Sequence, residues 1–260
     1  MHSYKHTGFA YIFCFFLITA ACSSTRSTPR PTLTIAAAAS LSNAFSELAN
    51  KFTHQTNIEI TLSFAATGTL SEQIANGAPF DLFATADPSY VDDLVVSGHI
   101  DESSRSRFAC GKLVLATHPS NSFLVQSLND ITNPALNRIA IANPDIAPYG
   151  AAARQLLQSA NIWKSIQDKI VYGDNVRQIY QYLDTGDVKL AILPRSLLRN
   201  TYYTITTIDS SYYDPIEHII GINTNTTQRD QAQLFIEYLF SSGGKTILSD
   251  NFLTIEACNR

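Results

Sequence analysis

Four junctions in this chain place a hydroxyl or a backbone N–H where a strand gives way to a helix. They are "AAAASLSN" with Ser40, "SFAATGTL" with Thr67, "ANPDIAPYGAAA" with Tyr149 and "YGDNVRQ" with Val176. The chemistry on offer is anion binding. A helix start presents unpaired N–H groups and the positive end of the peptide dipole. Several such ends meeting in one cleft hold a small oxyanion with neutral donors alone. The alanines before Ser40 clear space for the backbone to come close to a ligand. Taken singly, a Ser or Thr at a helix start is an ordinary N-cap worth about 1 kcal/mol, and composition lifts none of the four above that.

Other chemistries find less support. The sequence has no Gly-x-Ser-x-Gly elbow and no Walker loop, and Ser40 has no histidine near it in sequence. The histidines at 2, 6, 54, 99, 118 and 218 are scattered without metal-ligand spacing. Asp92–Asp93 and Asp101–Glu102 suit solvated faces, and Asp81 and Asp87 in "FDLFATAD" suit the fixing of loops or a hinge. No catalysis, resident metal or cofactor is expected. A net charge of -4 gives no basic field for nucleic acid, and any anion must be held by local donors.

The elements that must position these residues alternate. "TLTIAAAA", "IEITLSFAA" and "FDLFATAD" read as strands; "SNAFSELANKF", "TLSEQIANG" and "PSYVDDLVVSG" read as helices between and after them. On the first helix Ala44, Phe45, Leu48, Ala49 and Phe52 share a face, and Gly77 stops the second. A second series begins near "CGKLVLATH": strands "RIAIAN", "KIVYG" and "VKLAILP" alternate with helices "YGAAARQLLQSA" and "NVRQIYQYLDTG". Helix-linked strands predict βαβ units and largely parallel pairing, and two series of similar size predict two lobes. The C-terminal "RDQAQLFIEYLFSSGGKTILSDN" is helical and is expected to return to the first lobe.

The first residues address the protein. "MHSYKHT" followed by "GFAYIFCFFLITAA" has the charge and length of a signal peptide over residues 1–21. It ends at "ITAACSS", which resembles a bacterial lipobox with Cys22 as the lipid-bearing residue, although Thr19 stands where leucine is usual. Residues 22–31 read as a tether. Cys110 and Cys258 remain in an exported, disulfide-permissive chain, and the sequence leaves open whether they are joined or are two buried thiols.

"AAAASL", "ATGTL" and "GAPFDLFATAD", in that order and at fitting distances, resemble the N-terminal half of bacterial molybdate-binding periplasmic proteins, the receptors of molybdate ABC importers. The likeness runs on through "ANPDIAPYGAAA", "DNVRQ" and "VKLAILP". It implies an α/β, two-lobed periplasmic-binding-protein fold of the type II, Venus-flytrap kind, each lobe a mixed sheet flanked by helices. Residues 32–113 plus 220–260 would form lobe 1 and residues 114–219 lobe 2. The implied function is capture of molybdate or tungstate and delivery to a permease with its ATPase. By position, Ser40 and Thr67 would give hydroxyls, and Tyr149 and Val176 backbone N–H groups. The receptor would be a monomer in the periplasm, anchored through Cys22.

One departure stands out. Pro194 occupies the strand end where some members carry a tyrosine hydroxyl, and proline offers neither hydroxyl nor N–H. Tyr149 is the nearest replacement. Two alternatives of the same fold are a sulfate- or phosphate-type receptor and a ferric-iron receptor using Tyr202–Tyr203 or Tyr212–Tyr213, although "TYYTITTI" also reads as an ordinary strand. Pocket size and donor count would discriminate among oxyanions, with a protonated phosphate penalised for its unmatched O–H.

Overall fold

The computed structural model describes residues 1–2, 30–121, 124–199, 202–255 and 258. Nearly all of the expected signal peptide, Cys22 and most of the tether lie outside the described residues. Among those described, no helix is long and apolar enough to cross a membrane.

In chain order the elements are β1 (Thr32–Ala38), α1 (Ser42–Thr56), β2 (Glu59–Ala65), α2 (Thr67–Ala75), β3 (Leu82–Thr85), α3 (Pro88–Val96), β4 (Ser106–Gly111), β5 (Leu113–Thr117) and β6 (Ile139–Ala142). There follow α4 (Pro148–Ser159), α5 (Trp163–Ile166), β7 (Ile170–Gly173), α6 (Val176–Asp184), β8 (Leu190–Pro194), β9 (Thr204–Thr207), β10 (Ile216–Ile222), α7 (Arg229–Phe240) and α8 (Ser242–Asp250).

The strands form two sheets, ordered β2-β1-β3-β10-β4 and β7-β6-β8-β5-β9. In each, the helix-linked strands are parallel: β1 with β2 and β3, β6 with β7 and β8. Each also receives one antiparallel strand at its fourth position, β10 in the first and β5 in the second. Strand–helix alternation alone predicts largely parallel pairing; the sheets are mixed, as the family resemblance implies. The right-handed crossover rule governs strands joined by helices. β5 and β10 arrive without one, each entering from the other sheet.

These entries are the two crossings. Lys112 alone separates β4 from β5, and residues 208–215 lead from β9 back to β10. The expected lobe limits therefore shift. Residue 219 falls inside β10, which pairs with β3 and β4 of the first sheet, and Leu113 already pairs with Pro194 in the second. Both expected limits fall inside a continuous apolar run, whereas the crossings lie at the polar residues before it.

The predicted face of α1 is the buried one: Ala44, Phe45, Leu48, Ala49 and Phe52. α1 ends where Asn57 turns left-handed (φ 60°), and Gly77 (φ 84°) follows the end of α2. The C-terminal helical run returns to this face as two helices, broken where Ser241 accepts from Gly244 N and opens α8. Phe235 of α7 lies 5.3 Å from the Phe52 ring and 6.0 Å from Phe45. Burying such aromatics contributes about 1.5–3 kcal/mol each, so α7 is held by the face that the periodicity marks. Cys110 and Cys258 are joined in a disulfide, their Cα atoms 5.2 Å apart. The Cys110 N–H donates to Thr254 O at 2.9 Å, so the chain's tail runs beside β4.

Candidate functional site

The carboxyl ends of β1 and β2 in the first sheet face the starts of α4 and α6 beyond the second. Between them lies a small hollow. Ser40, Thr67, Tyr149 and Val176 all line it, beside Ala39, Ala66, Ala86, Ala147 and Asn175. None of its lining residues carries a charge. The sequence had the four candidates on separate elements, and the fold brings them together.

How these helix starts are capped decides what the hollow can do. α2 has Ala66 at its N-cap and α4 has Ala147, and neither has a side-chain cap. The turn at residues 39–41 and α1 likewise start from Ala38 and Leu41 with no side-chain bond. An alanine cap leaves helix N–H groups without the partner that Ser, Asp or Asn would give. α6 is capped by Asn175, which accepts from Arg177 N at 2.9 Å and Gln178 N at 3.2 Å and leaves Val176 N–H out of the cap. Thus the hydroxyl residues at the hollow are not caps at all. Ser40 Oγ is buried with no hydrogen-bond partner, which costs about 1–3 kcal/mol unless a ligand supplies one. Thr67 Oγ1 accepts a long bond from Ala86 N at 3.4 Å, and its proton remains to be given.

The two halves are drawn together over the hollow. Gly68 N donates to Ile146 O at 2.9 Å, and a Cβ on Gly68 would lie 3.1 Å from that same oxygen. Glycine permits the close approach. Ser196 Oγ donates to Ser40 O at 2.8 Å, Asn43 Nδ2 to Ser196 O at 3.0 Å, and Arg199 pairs with Glu47 at 2.5 Å. The Arg177 guanidinium rests 5.7 Å from the Phe64 ring. Glu47 is accordingly held below the usual carboxylate range, chiefly by its bond to Arg199.

Tyr149 does more than offer its N–H. Its buried phenol reaches across to the first sheet, 3.3 Å from His218 Nε2, in a space that Gly111 leaves open. A Cβ on Gly111 would stand 1.7 Å from the Tyr149 oxygen. Burial raises the Tyr149 pKa and fixes the phenol as neutral. Pro194 ends β8 opposite Leu113 and is not among the lining residues.

The tyrosine pairs of the iron alternative lie elsewhere. Tyr202 is exposed, Tyr203 donates to Asp184, and Tyr213 accepts from Leu113 N at 3.1 Å; neither they nor Tyr212 line the hollow. Asp81 accepts from Thr34 N at 2.7 Å and from Thr226 Oγ1 at 2.5 Å, and Asp87 caps α3 by accepting from Ser89 N. Both therefore fix loops, as the sequence suggests. Sequence reasoning missed Gly68, Ser196 and His218, whose partners are distant along the chain and leave no local spacing to read.

A family described as bacterial extracellular solute-binding protein matches residues 33–254. This chain belongs to that family. The solute-binding protein is 30% identical to the putative ABC transporter substrate-binding lipoprotein YvgL of Bacillus subtilis, covering 97% of this chain and 99% of that one. It is 30% identical to the molybdate-binding protein ModA of Azotobacter vinelandii, covering 79% and 82%. The solved periplasmic molybdate-binding protein of Azotobacter vinelandii superposes with a TM-score of 0.81 at 25% identity, covering 86% of this chain and 99% of that one. The solute-binding protein thus has the α/β two-lobed architecture of these receptors.

Proposed function

We propose that this solute-binding protein captures molybdate or tungstate outside the cytoplasm and hands it to an ABC permease driven by its ATPase. The observation that carries the reading is the convergence of helix starts, most without a side-chain cap, on one uncharged hollow that also holds the unpartnered Ser40 hydroxyl. A tetrahedral dianion would take hydrogen bonds from the Ser40 and Thr67 hydroxyls and from the Tyr149 and Val176 N–H groups. Helix-end partial charges of roughly half a unit each would balance its charge without a counter-cation. Enclosure strengthens each of these bonds, because water no longer screens them. The Azotobacter vinelandii relative, named for molybdate binding, supports this ligand. The reading is of binding and release without turnover, by a monomer held at the membrane through a lipid on Cys22.

Calorimetry of the mature protein with molybdate, tungstate, sulfate, phosphate and ferric citrate tests the reading. Tight binding of molybdate or tungstate is expected. Binding of ferric ion alone, or of sulfate in preference to both, overturns it. Mass spectrometry of the mature N-terminus tests the anchor: a diacylglyceryl Cys22 is expected, and an unmodified later residue removes it.

A further inference from the structure

The contacts that draw the two halves together fall into two groups, and sheet order separates them. Ser196 and Arg199 belong to the stretch after β8, which is tied to the first crossing, because Arg195 N donates to Lys112 O at 2.9 Å. Contacts made beside a pivot change little when the halves part. Phe64 and Arg177 stand at the other extreme. Phe64 lies near the end of β2, and Arg177 lies in the first turn of α6, which follows β7. β2 and β7 are outer strands of their sheets, on the edges away from β4 and β5, the strands joined at that crossing. At about 4.8 Å per strand step, both edges are roughly 14 Å or more from the crossing strands. Rotation about the crossings displaces a group in proportion to that lever. The 5.7 Å approach of the Arg177 guanidinium to the Phe64 ring is therefore lost early on opening.

The pair also sits at the mouth of the hollow. Phe64 is three residues before Thr67, and Arg177 directly follows Val176, so their contact joins the chain on either side just outside two ligand-facing groups. Both line a larger groove, and Asn175 lines the groove and the hollow alike. Neither lines the hollow itself, which keeps its neutral donors. Arg177 takes part in no ion pair among the described residues. The groove's other cation, Arg199, is engaged by Glu47, and of its acids, Asp174 and Asp184, the second accepts from Tyr203. From this placement we propose that Arg177 and Phe64 form the clasp of the receptor. Their cation–π contact is made last as the halves close on an oxyanion and is broken first on release, so it sets how long the ligand is held. Both are positioning residues that act through the chain next to Val176 and Thr67. The other contact at these edges, Gly68 N–H to Ile146 O, is made by backbone alone. The clasp is the part of the closure that side-chain choice controls.

The inference rests on the oxyanion reading, and one experiment separates the two. Mature protein loaded with radiolabelled molybdate is diluted into excess unlabelled molybdate, and the label retained over time gives the release rate; label uptake gives the association rate. Phe64→Leu keeps an apolar side chain and removes the ring, and Arg177→Met keeps the stem and removes the charge. Each is expected to speed release about two- to fivefold, the range for a cation–π contact at an exposed site, with association unchanged. The double variant should release no faster than either single one, because both changes remove the same contact. Phe64→Tyr puts a ring face back and should return release to within about twofold of native. Native release rates in both single variants, or effects that multiply in the double variant, overturn the clasp and leave the receptor reading intact. A loss confined to association and dependent on salt assigns Arg177 to attracting the anion and also overturns it. Absence of any oxyanion binding by the native protein overturns both.

Discussion

At the scale of single residues, the Ser40 hydroxyl is the sharpest indicator of function, because it is buried and without a partner. Ser40→Ala removes an orphan from the empty protein and a donor from the loaded one. We expect molybdate affinity to fall by roughly 1–3 kcal/mol, the range for a hydrogen bond to a charged group, with unchanged or slightly greater stability in its absence. Paired calorimetry and urea unfolding read both. His218 gives a second prediction. Its folded-state pKa of about 4 lies below the unfolded value near 6.5, so between these values the unfolded chain binds more protons. The ligand-free protein should therefore lose on the order of 3 kcal/mol as pH falls from above 6.5 to about 4, and the loss should vanish in a folded His218→Gln. Urea midpoints across that interval check it. Ser40 and Thr67 could be read as candidates because each sits at a local junction of small residues. His218 could not: its partners Thr85 and Tyr149 are far away along the chain, and an isolated histidine in a strand carries no spacing to interpret.

The helix starts show how far local pattern reaches. The α1 face was legible because its apolar residues recur at helical spacing, and the end of α2 because Gly77 punctuates the chain. The caps themselves were not. A hydroxyl near a helix start suggests a cap, but at α2 and α4 the cap position is an alanine. Selection for a cap would have put Asp, Asn, Ser or Thr there. The alanines forgo about 1 kcal/mol per helix and leave N–H groups to a ligand. Supplying the missing carboxylate should reverse the bargain: Ala66→Asp is expected to stabilise the ligand-free protein by up to about 1 kcal/mol while abolishing molybdate binding. Urea unfolding with and without molybdate measures the two effects together. A variant that still binds would show that the α2 start does not serve the ligand. The mixed sheets were invisible to periodicity for a related reason, since the pattern within β5 or β10 says nothing about which sheet either strand will join.

For the molecule as a whole, the pairing of Cys110 with Cys258 closes a loop across 148 residues and ties the tail to the strand that leads into the first crossing. Replacing both cysteines by serine should cost about 2–5 kcal/mol, read from urea midpoints of the oxidised native protein and the variant. Sequence left that pairing undecided because two cysteines in an exported chain say only that a bridge is permitted. The interleaving of the sheets has a further consequence for how this chain comes into being. The second sheet is built from one unbroken stretch, β5 to β9, whereas β4 has β10 as its sheet neighbour. A chain threaded out amino end first therefore holds all strands of its later half before the earlier half can close. The portion that emerges first is finished last, by the final strand, and is then locked by a residue near the carboxyl terminus.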